Sequence, residues 1–231
     1  MKLGNEETLQ RIKGGLIVSC QALPEEPLHS SFIMGRMALA ASQAGAVGIR
    51  ANTVADIKEI RNMVDLPIIG IIKKVYDDCP DVYITPTIAE VDALTACGVE
   101  IIATDATRRD RPGGETIETF FSKVRAKFPD QLFMADCSNV EEGMEAAALG
   151  FDLIGTTMAS YTSYTRGCPL PPFDMIEYLV KNCGKPVVAE GNIITPEHLR
   201  HAMDLGVLTA VVGSAITRPL EITKRFVAVL K

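Results

Sequence analysis

The chain has 231 residues, a hydrophobic fraction of 47% and a formal net charge of −6 at pH 7. This hydrophobic content is enough for a packed core and excludes a disordered chain. The negative charge argues against general nucleic-acid binding, because phosphate backbones attract basic surfaces, whereas a small phosphorylated ligand needs only a local pocket.

Short apolar segments rich in β-branched residues recur along the whole chain. In chain order they lie at residues 15–20, 46–50, 67–73, 100–106, 132–137, 152–157, 186–191 and 210–215. Because these segments are continuously apolar and do not alternate with polar residues, they predict strands that are covered on both faces, as in a parallel sheet.

Helical patterns fill the intervals between the predicted strands, and glycines mark their ends. Gly45, Gly98, Gly150 and Gly206 each stand just before the next strand and predict helix termination. The segment from Thr195 has a predicted N-cap followed by proline at the first helical position. One extra strand-like piece, at residues 81–85, is assigned to an enlarged connection after the third strand.

Eight strands that alternate with helices predict an α/β protein, a (β/α)8 TIM barrel with residues 1–231 forming a single domain. About 250 residues is typical of this fold. A doubly wound open sheet is the alternative, but no GxGxxG turn follows the first predicted strand.

The amino-terminal residues and the cysteines bear on location. Residues 1–15 contain no apolar segment of the secretory type, and no apolar run reaches the about 18 residues that cross a bilayer. Six cysteines without a CxxC pair fit neither a zinc site nor a disulfide framework. We therefore expect a cytoplasmic protein with reduced thiols and no membrane contact.

Polar or ionisable residues stand at the carboxyl ends of nearly all predicted strands. In chain order they are Gln21, Arg50, Lys73, Asp105, Asp136, Thr156 with Thr157, Glu190, and Gly213 with Ser214. Barrel enzymes gather their catalytic groups at these ends, where the loops after the strands meet. One charge alone is often a solvated strand end, but a ring of them predicts an active site.

Two glycine-containing loops predict a phosphate site. Gly191 with Asn192, and Gly213 with Ser214, follow the seventh and eighth strands, where barrels commonly bind phosphate. Glycine lets the backbone approach an anion closely, and Arg218 adds a bidentate cation. The alternative is that these glycines only permit tight turns.

Lys73 has three interpretations. It is a surface lysine at a strand end, a Schiff-base nucleophile or a proton-transfer group. A free lysine has a pKa of about 10.4, which is too high for a base at neutral pH. Arg50 and Arg218 would lower this pKa and Glu190 would raise it, and the sequence leaves the balance open.

Two further features are weighed separately. His198 and His201 are spaced for shared metal ligation, but they fall on the helix after the seventh strand, so surface histidines are predicted and no metal is expected. The long connection at residues 158–174 is rich in hydroxyl groups and prolines and predicts a lid over the pocket.

A series of short stretches matches one enzyme family. In chain order they are GLIVSCQALPEEPLHS, AVGIRAN, PIIGIIKK, ITPT, ATDAT, MADCS, IGTTM, SYT, VVAEGNI and VVGSAITRP, between residues 15 and 219. On these stretches the chain resembles the bacterial N-acylglucosamine-6-phosphate 2-epimerases, also called N-acetylmannosamine-6-phosphate 2-epimerases. It departs from the family pattern at Lys74-Val75 and Ala159-Ser160, both in loops at the pocket edge.

The resemblance implies an isomerase of sialic acid and amino-sugar catabolism that interconverts N-acetylmannosamine 6-phosphate and N-acetylglucosamine 6-phosphate. It implies an acid/base role for Lys73 and a partnered carboxylate at Glu190. The resemblance also implies substrate contacts at Gln21, Arg50, Asp136 and Arg218. No redox cofactor is implied, the expected partner is the small amino-sugar phosphate, and association of the chain with itself stays open.

Inversion at C2 requires loss of the C2 proton, which is feasible in the open-chain aldehyde because the carbanion delocalises as an enolate. Whether Lys73 alone or Lys73 with Glu190 transfers this proton is left open. A Schiff-base aldolase, a metal-dependent pentose-phosphate epimerase and an inactive sugar-phosphate sensor are the alternatives. No predicted strand ends in the histidines that the metal-dependent epimerase requires.

Overall fold

The computed structural model describes residues 3–230 as a closed barrel of eight parallel strands in chain order. The strands are β1 Leu16–Cys20, β2 Gly48–Asn52, β3 Ile68–Ile71, β4 Ile101–Asp105, β5 Leu132–Asp136, β6 Leu153–Gly155, β7 Val187–Ala189 and β8 Thr209–Val212. β8 pairs in parallel with β1, so no sheet edge is left open. The predicted (β/α)8 barrel is confirmed.

Nine α-helices lie within residues 3–230. They are α1 Asn5–Ile12, α2 Ser31–Gln43, α3 Val54–Met63, α4 Ile88–Ala96, α5 Ile117–Lys127, α6 Val140–Leu149, α7 Phe173–Asn182, α8 Pro196–Asp204 and α9 Pro219–Ala228. Helix α1 precedes the first strand and was not predicted. Its Ile12 is fully buried against Ile17 and Leu132 inside the barrel, so α1 closes the amino-terminal end.

The local predictions for helix ends are confirmed. The Thr195 side chain accepts a hydrogen bond from the His198 N–H at 3.2 Å, with Pro196 at the first helical position. The four glycines that precede strands have φ values of 98° at Gly45, 69° at Gly98, 96° at Gly150 and 94° at Gly206. These values lie in the left-handed region that glycine adopts without strain, so each helix stops there.

Several strands end at residues other than the predicted ones, and two of these differences concern site residues. β2 continues to Asn52, so Arg50 lies within the strand, paired in register with Ser19 and Ile69, and not at its end. The sequence suggests an end at Arg50 because an unpaired charge inside a strand is costly, and only its buried partners remove that cost. β3 stops at Ile71, two residues before Lys73.

The early end of β3 has a visible cause. Residues 83–85 follow the connection after β3 and insert beside β4, where the Ile84 carbonyl accepts the Asp105 N–H at 3.0 Å. The extension of β3 pairs with this segment in antiparallel fashion, with Lys73 opposite Ile84. The extra strand-like piece therefore lies in the predicted connection and sets the position of Lys73 at the mouth of the barrel.

No helix within residues 3–230 is long and apolar enough to cross a membrane.

Candidate active site

A cleft opens at the carboxyl ends of the strands. Nearly all of the residues predicted for the site line it: Gln21, Arg50, Lys73, Glu190, Gly191, Asn192, Gly213, Ser214 and Arg218. Asp136 does not line it, because it is fully buried beneath the cleft and contacts Arg50. The structure thus brings together groups from six strands and the loops that follow them.

Arg50 forms the centre of a buried charge cluster. Its Nη2 lies 2.5 Å from Oδ2 of Asp136, and its Nη1 lies 3.1 Å from Oδ1 of the same carboxylate and 2.8 Å from Oε2 of Glu190. Thr157 donates its hydroxyl to Asp136 at 2.6 Å. Burial opposes the charge of Arg50, but the two carboxylates outweigh it and raise the pKa of the guanidinium.

Glu190 follows β7 directly, as predicted, and its backbone is held in place by Thr156. The Glu190 N–H donates to the Thr156 hydroxyl at 3.1 Å, and this hydroxyl donates to the Glu190 carbonyl at 2.7 Å. Burial raises the pKa of the Glu190 carboxyl to about 7, aided by the charge of Asp136 and opposed by Arg50. The carboxyl can therefore both accept and release a proton near neutral pH.

Lys73 is half-buried at the cleft wall, with its peptide N–H donated to Oδ1 of Asn52 at 2.8 Å. Within residues 3–230 its ammonium makes no hydrogen bond or ion pair. Burial lowers the pKa of Lys73, and Arg50 and Arg218 lower it further against the opposing charges of Glu190 and Glu26. The sequence left open whether the pKa of Lys73 is raised or lowered, and its surroundings in the structure favour a lowered pKa.

The neighbouring lysine has the opposite environment. Lys74 is exposed, its ammonium lies 3.4 Å from Oε1 of Glu90, and it stands 4.4 Å over the ring of Tyr76. The Tyr76 hydroxyl raises the pKa of this lysine, aided by the charge of Glu90. Two adjacent lysines thus differ in burial and in pKa direction, and only Lys73 lines the cleft.

The two glycine-containing loops form one end of the cleft. Gly191 has φ 118° and Asn192 has φ 57°, and a Cβ at Gly191 would approach the Thr156 carbonyl oxygen to 3.2 Å. Over the described chain, the peptide N–H groups of Gly191, Asn192 and Ser214 have no hydrogen-bond partner. These groups remain available to an anion in the cleft, as in other anion-binding backbone concavities.

Sequence reasoning missed several residues that line the cleft, among them Glu26, Tyr83 and Tyr161. Glu26 lies in the loop after β1 and pairs with Arg218. Tyr83 reaches the cleft only because residues 83–85 insert beside β4. Nothing in the sequence around a charged or aromatic loop residue indicates that folding will place its side chain in the cleft. Tyr161 belongs to the connection predicted as a lid, and it is 66% exposed at the cleft edge.

The two helical histidines lie outside the cleft. On α8, His198 and His201 meet the ring of Phe173 edge-on, with ring centroids 5.9 and 4.4 Å from it. Among residues 3–230 no three His, Cys, Asp or Glu side chains are grouped as a metal site. Asp105, at the end of β4, also lies outside the cleft and is paired with Arg109 at 2.7 Å.

The closed barrel and the ionisable cleft at its carboxyl-terminal end define a (β/α)8-barrel enzyme. A model of the NanE family, whose members are described as N-acetylmannosamine-6-phosphate epimerases, matches residues 34–231, and the chain belongs to this family.

Individual relatives match the sequence of this chain over nearly their whole length. A protein of Clostridium perfringens strain SM101, provisionally named N-acetylmannosamine-6-phosphate 2-epimerase, is 55% identical over 96% of this chain and 100% of its own. A Listeria innocua serovar 6a protein with the same provisional name is 52% identical over 99% of both chains. A solved structure of the N-acetylmannosamine-6-phosphate 2-epimerase from Clostridium perfringens, 54% identical, superposes with a TM-score of 0.91 over 96% of this chain and 95% of that one.

Proposed function

We propose that the chain interconverts N-acetylmannosamine 6-phosphate and N-acetylglucosamine 6-phosphate, in sialic acid and amino-sugar catabolism, by removing and returning the C2 proton. Membership of the family supports the activity. One observation supports the mechanism most directly: the ammonium of Lys73, unpaired within residues 3–230 and with a lowered pKa, shares a cleft with Glu190, whose pKa is about 7. Two groups suited to proton transfer near neutral pH thus border one cavity.

The reaction makes three demands on the site, and the cleft has groups for each. In the open-chain sugar, neutral Lys73 takes the C2 proton, and the enolate that forms places negative charge on the C1 oxygen. The guanidinium of Arg50, which lines the cleft, stabilises this charge, because fixed charges in a partly dry cleft act strongly on it. The distal phosphate is bound by the two glycine-containing loops and Arg218, that is by Gly191, Asn192, Gly213, Ser214 and Arg218. These contacts keep the open-chain sugar in place.

Gln21 is assigned to a substrate hydroxyl or amide. Its Nε2 donates to the Ser19 hydroxyl at 2.8 Å, which fixes the side chain, while its Oε1 is buried and has no partner within residues 3–230. A buried acceptor without a donor is costly, and a donor on the substrate removes that cost. Asp136 is assigned an indirect role, because it holds the Arg50 guanidinium from beneath.

The cytoplasm is the proposed location, since all six cysteines are free thiols.

Isotope exchange tests the proposed reaction. During an NMR time course of N-acetylmannosamine 6-phosphate with the purified protein in deuterated water, we expect N-acetylglucosamine 6-phosphate to form with deuterium at C2. The reason is that the abstracted proton exchanges with solvent before it is returned. Turnover with complete retention of the original hydrogen would contradict C2 deprotonation, and absence of turnover would contradict the activity and favour a sensor.

The pH dependence tests the state of Glu190. We expect kcat/KM to rise as the pH increases through about 7, because the Glu190 carboxyl, with its raised pKa, loses its proton there. The carboxylate then stabilises the ammonium that forms when neutral Lys73 takes the C2 proton. The substrate phosphate also titrates in this region, with a second pKa of about 6. The Glu190→Gln variant is therefore the control: a rise near pH 7 that persists in it belongs to the substrate or to Lys73, and not to Glu190.

A further inference from the structure

Glu26 connects the loop after β1 to the loop after β8. Both Nε and Nη2 of Arg218 donate to Oε1 of Glu26, with the Nε contact at 2.8 Å. The other carboxylate oxygen, Oε2, accepts the peptide N–H of Leu23 at 2.7 Å. The carboxylate is thus held by its own loop and in turn holds one edge of the guanidinium.

The Glu26–Arg218 ion pair lies between two cavities, and its carboxylate is largely buried. The Glu26 side chain is only 14% exposed. The pair separates the cleft from an apolar groove whose wall includes Pro27, Leu28 and Leu220, and both charged residues line both cavities. Because the groove side is apolar, the attraction between the two charges is screened less than it would be in water.

One nitrogen of Arg218 is left without a partner within the described chain. Its Nη1 makes no hydrogen bond within residues 3–230, although Nε and Nη2 are both engaged by Glu26. An unrestrained arginine has many rotamers, and ordering it at the moment of binding costs affinity. A guanidinium already held along one edge by a fixed carboxylate loses less conformational entropy on binding, and its remaining edge can donate a hydrogen bond to a phosphate oxygen.

We propose that Glu26 is a positioning residue for phosphate recognition: it anchors Arg218 so that the free Nη1 edge is presented to the phosphate of the substrate. The proposal rests on the proposed function for the identity of the substrate. In this arrangement the phosphate joins the Glu26–Arg218 pair and does not displace Glu26. The opposite arrangement, in which the carboxylate competes with phosphate for Arg218, predicts the opposite sign for every effect of removing Glu26.

The test is a double-mutant cycle on Glu26 and Arg218, with KM and kcat for N-acetylmannosamine 6-phosphate as readouts. We expect Glu26→Ala to raise KM about tenfold with kcat near the wild-type value, on the scale of one charge-assisted hydrogen bond. Glu26→Gln, which keeps an acceptor oxygen, should raise KM less. In an Arg218→Ala background, Glu26→Ala should change KM no further, because its effect passes through that arginine.

Glu25→Gln is the matched control, since Glu25 is an exposed carboxylate of the same loop that forms no ion pair within the described chain. It should leave KM unchanged. The proposal is overturned if Glu26→Ala lowers KM, which would show competition with phosphate. It is also overturned if Glu26→Ala raises KM by the same factor with and without Arg218, or if Glu25→Gln has an equal effect.

Calorimetric titration with inorganic phosphate separates this proposal from the proposed function, because it needs no turnover. Glu26→Ala and Glu26→Gln should weaken phosphate binding in the same order as they raise KM, with folding of each variant checked by its thermal unfolding transition. If the wild-type protein binds phosphate in this Glu26-dependent way yet converts no amino-sugar phosphate, the proposed function fails and the role of Glu26 stands. Phosphate binding that is unchanged in folded variants refutes the role of Glu26.

Discussion

Replacement of Lys73 with alanine is expected to abolish epimerisation and, with it, deuterium exchange at C2 of either epimer. Lys73 lines the cleft, its ammonium is unpaired within residues 3–230, and burial lowers its pKa. Loss of a positioned general base typically costs about 10² to 10⁴ in rate. The measurement is the NMR time course in deuterated water, with both epimers as starting material.

Lys74→Ala is the matched control for this variant. It removes the same charge one residue away, but Lys74 is exposed and paired with Glu90, and it does not line the cleft. Its turnover should stay close to that of the wild type. Near-normal epimerisation by Lys73→Ala would refute the proton-transfer role and leave Lys73 as a surface lysine. Trapping of substrate on the protein by borohydride would instead favour a Schiff-base aldolase, since the proton-transfer mechanism forms no imine.

Glu190→Ala distinguishes one acid/base group from two. If Lys73 alone moves the proton, this variant should turn over slowly and still show C2 exchange. If the two groups serve opposite faces of C2, each variant should exchange the proton of one epimer only and fail to interconvert them. The raised pKa of Glu190 is compatible with both versions. We favour the single-lysine version, because the ion pair of Glu190 with Arg50 at 2.8 Å suits a supporting carboxylate.

Removal of the Arg218 contact with the substrate phosphate should have the second largest effect on activity. We expect Arg218→Ala to raise KM for the phosphorylated sugar roughly ten- to a hundredfold, since a hydrogen bond to a charged group is worth about 1.5–3 kcal/mol. Unphosphorylated N-acetylmannosamine should be a very poor substrate for the wild-type enzyme. Steady-state kinetics with both sugars measure these effects.

Two variants sharpen this measurement. Arg218→Lys keeps the charge but loses the planar fork that Glu26 engages, so its KM should be intermediate. Lys224→Ala removes a cation of α9, the helix that Arg218 precedes. Lys224 pairs with Glu221 at 3.0 Å, and its replacement should leave KM unchanged. Equal turnover of the two sugars by the wild type would show that the loops after β7 and β8 do not bind phosphate.

The architecture, and the edge of the barrel on which the site lies, follow from the amino-acid sequence alone. Eight continuously apolar segments specify buried parallel strands, and glycines such as Gly45 and Gly206 end helices through their own backbone preference. These signals are local, because each depends on a few neighbouring residues. The position of Glu190 after β7 and of Asp136 at the end of β5 followed from them.

The pairing of the ionisable groups, in contrast, arises only when the chain is folded. Arg50 is separated by 86 residues from Asp136 and by 140 from Glu190, yet it contacts both, and this pairing allows a guanidinium to lie buried within β2. The insertion of residues 83–85 beside β4 and the contact of Glu26 with Arg218, 192 residues away, likewise arise from barrel closure. The pKa values of Lys73 and Glu190 depend on burial and on charges brought close by folding, so no pattern along the chain encodes them.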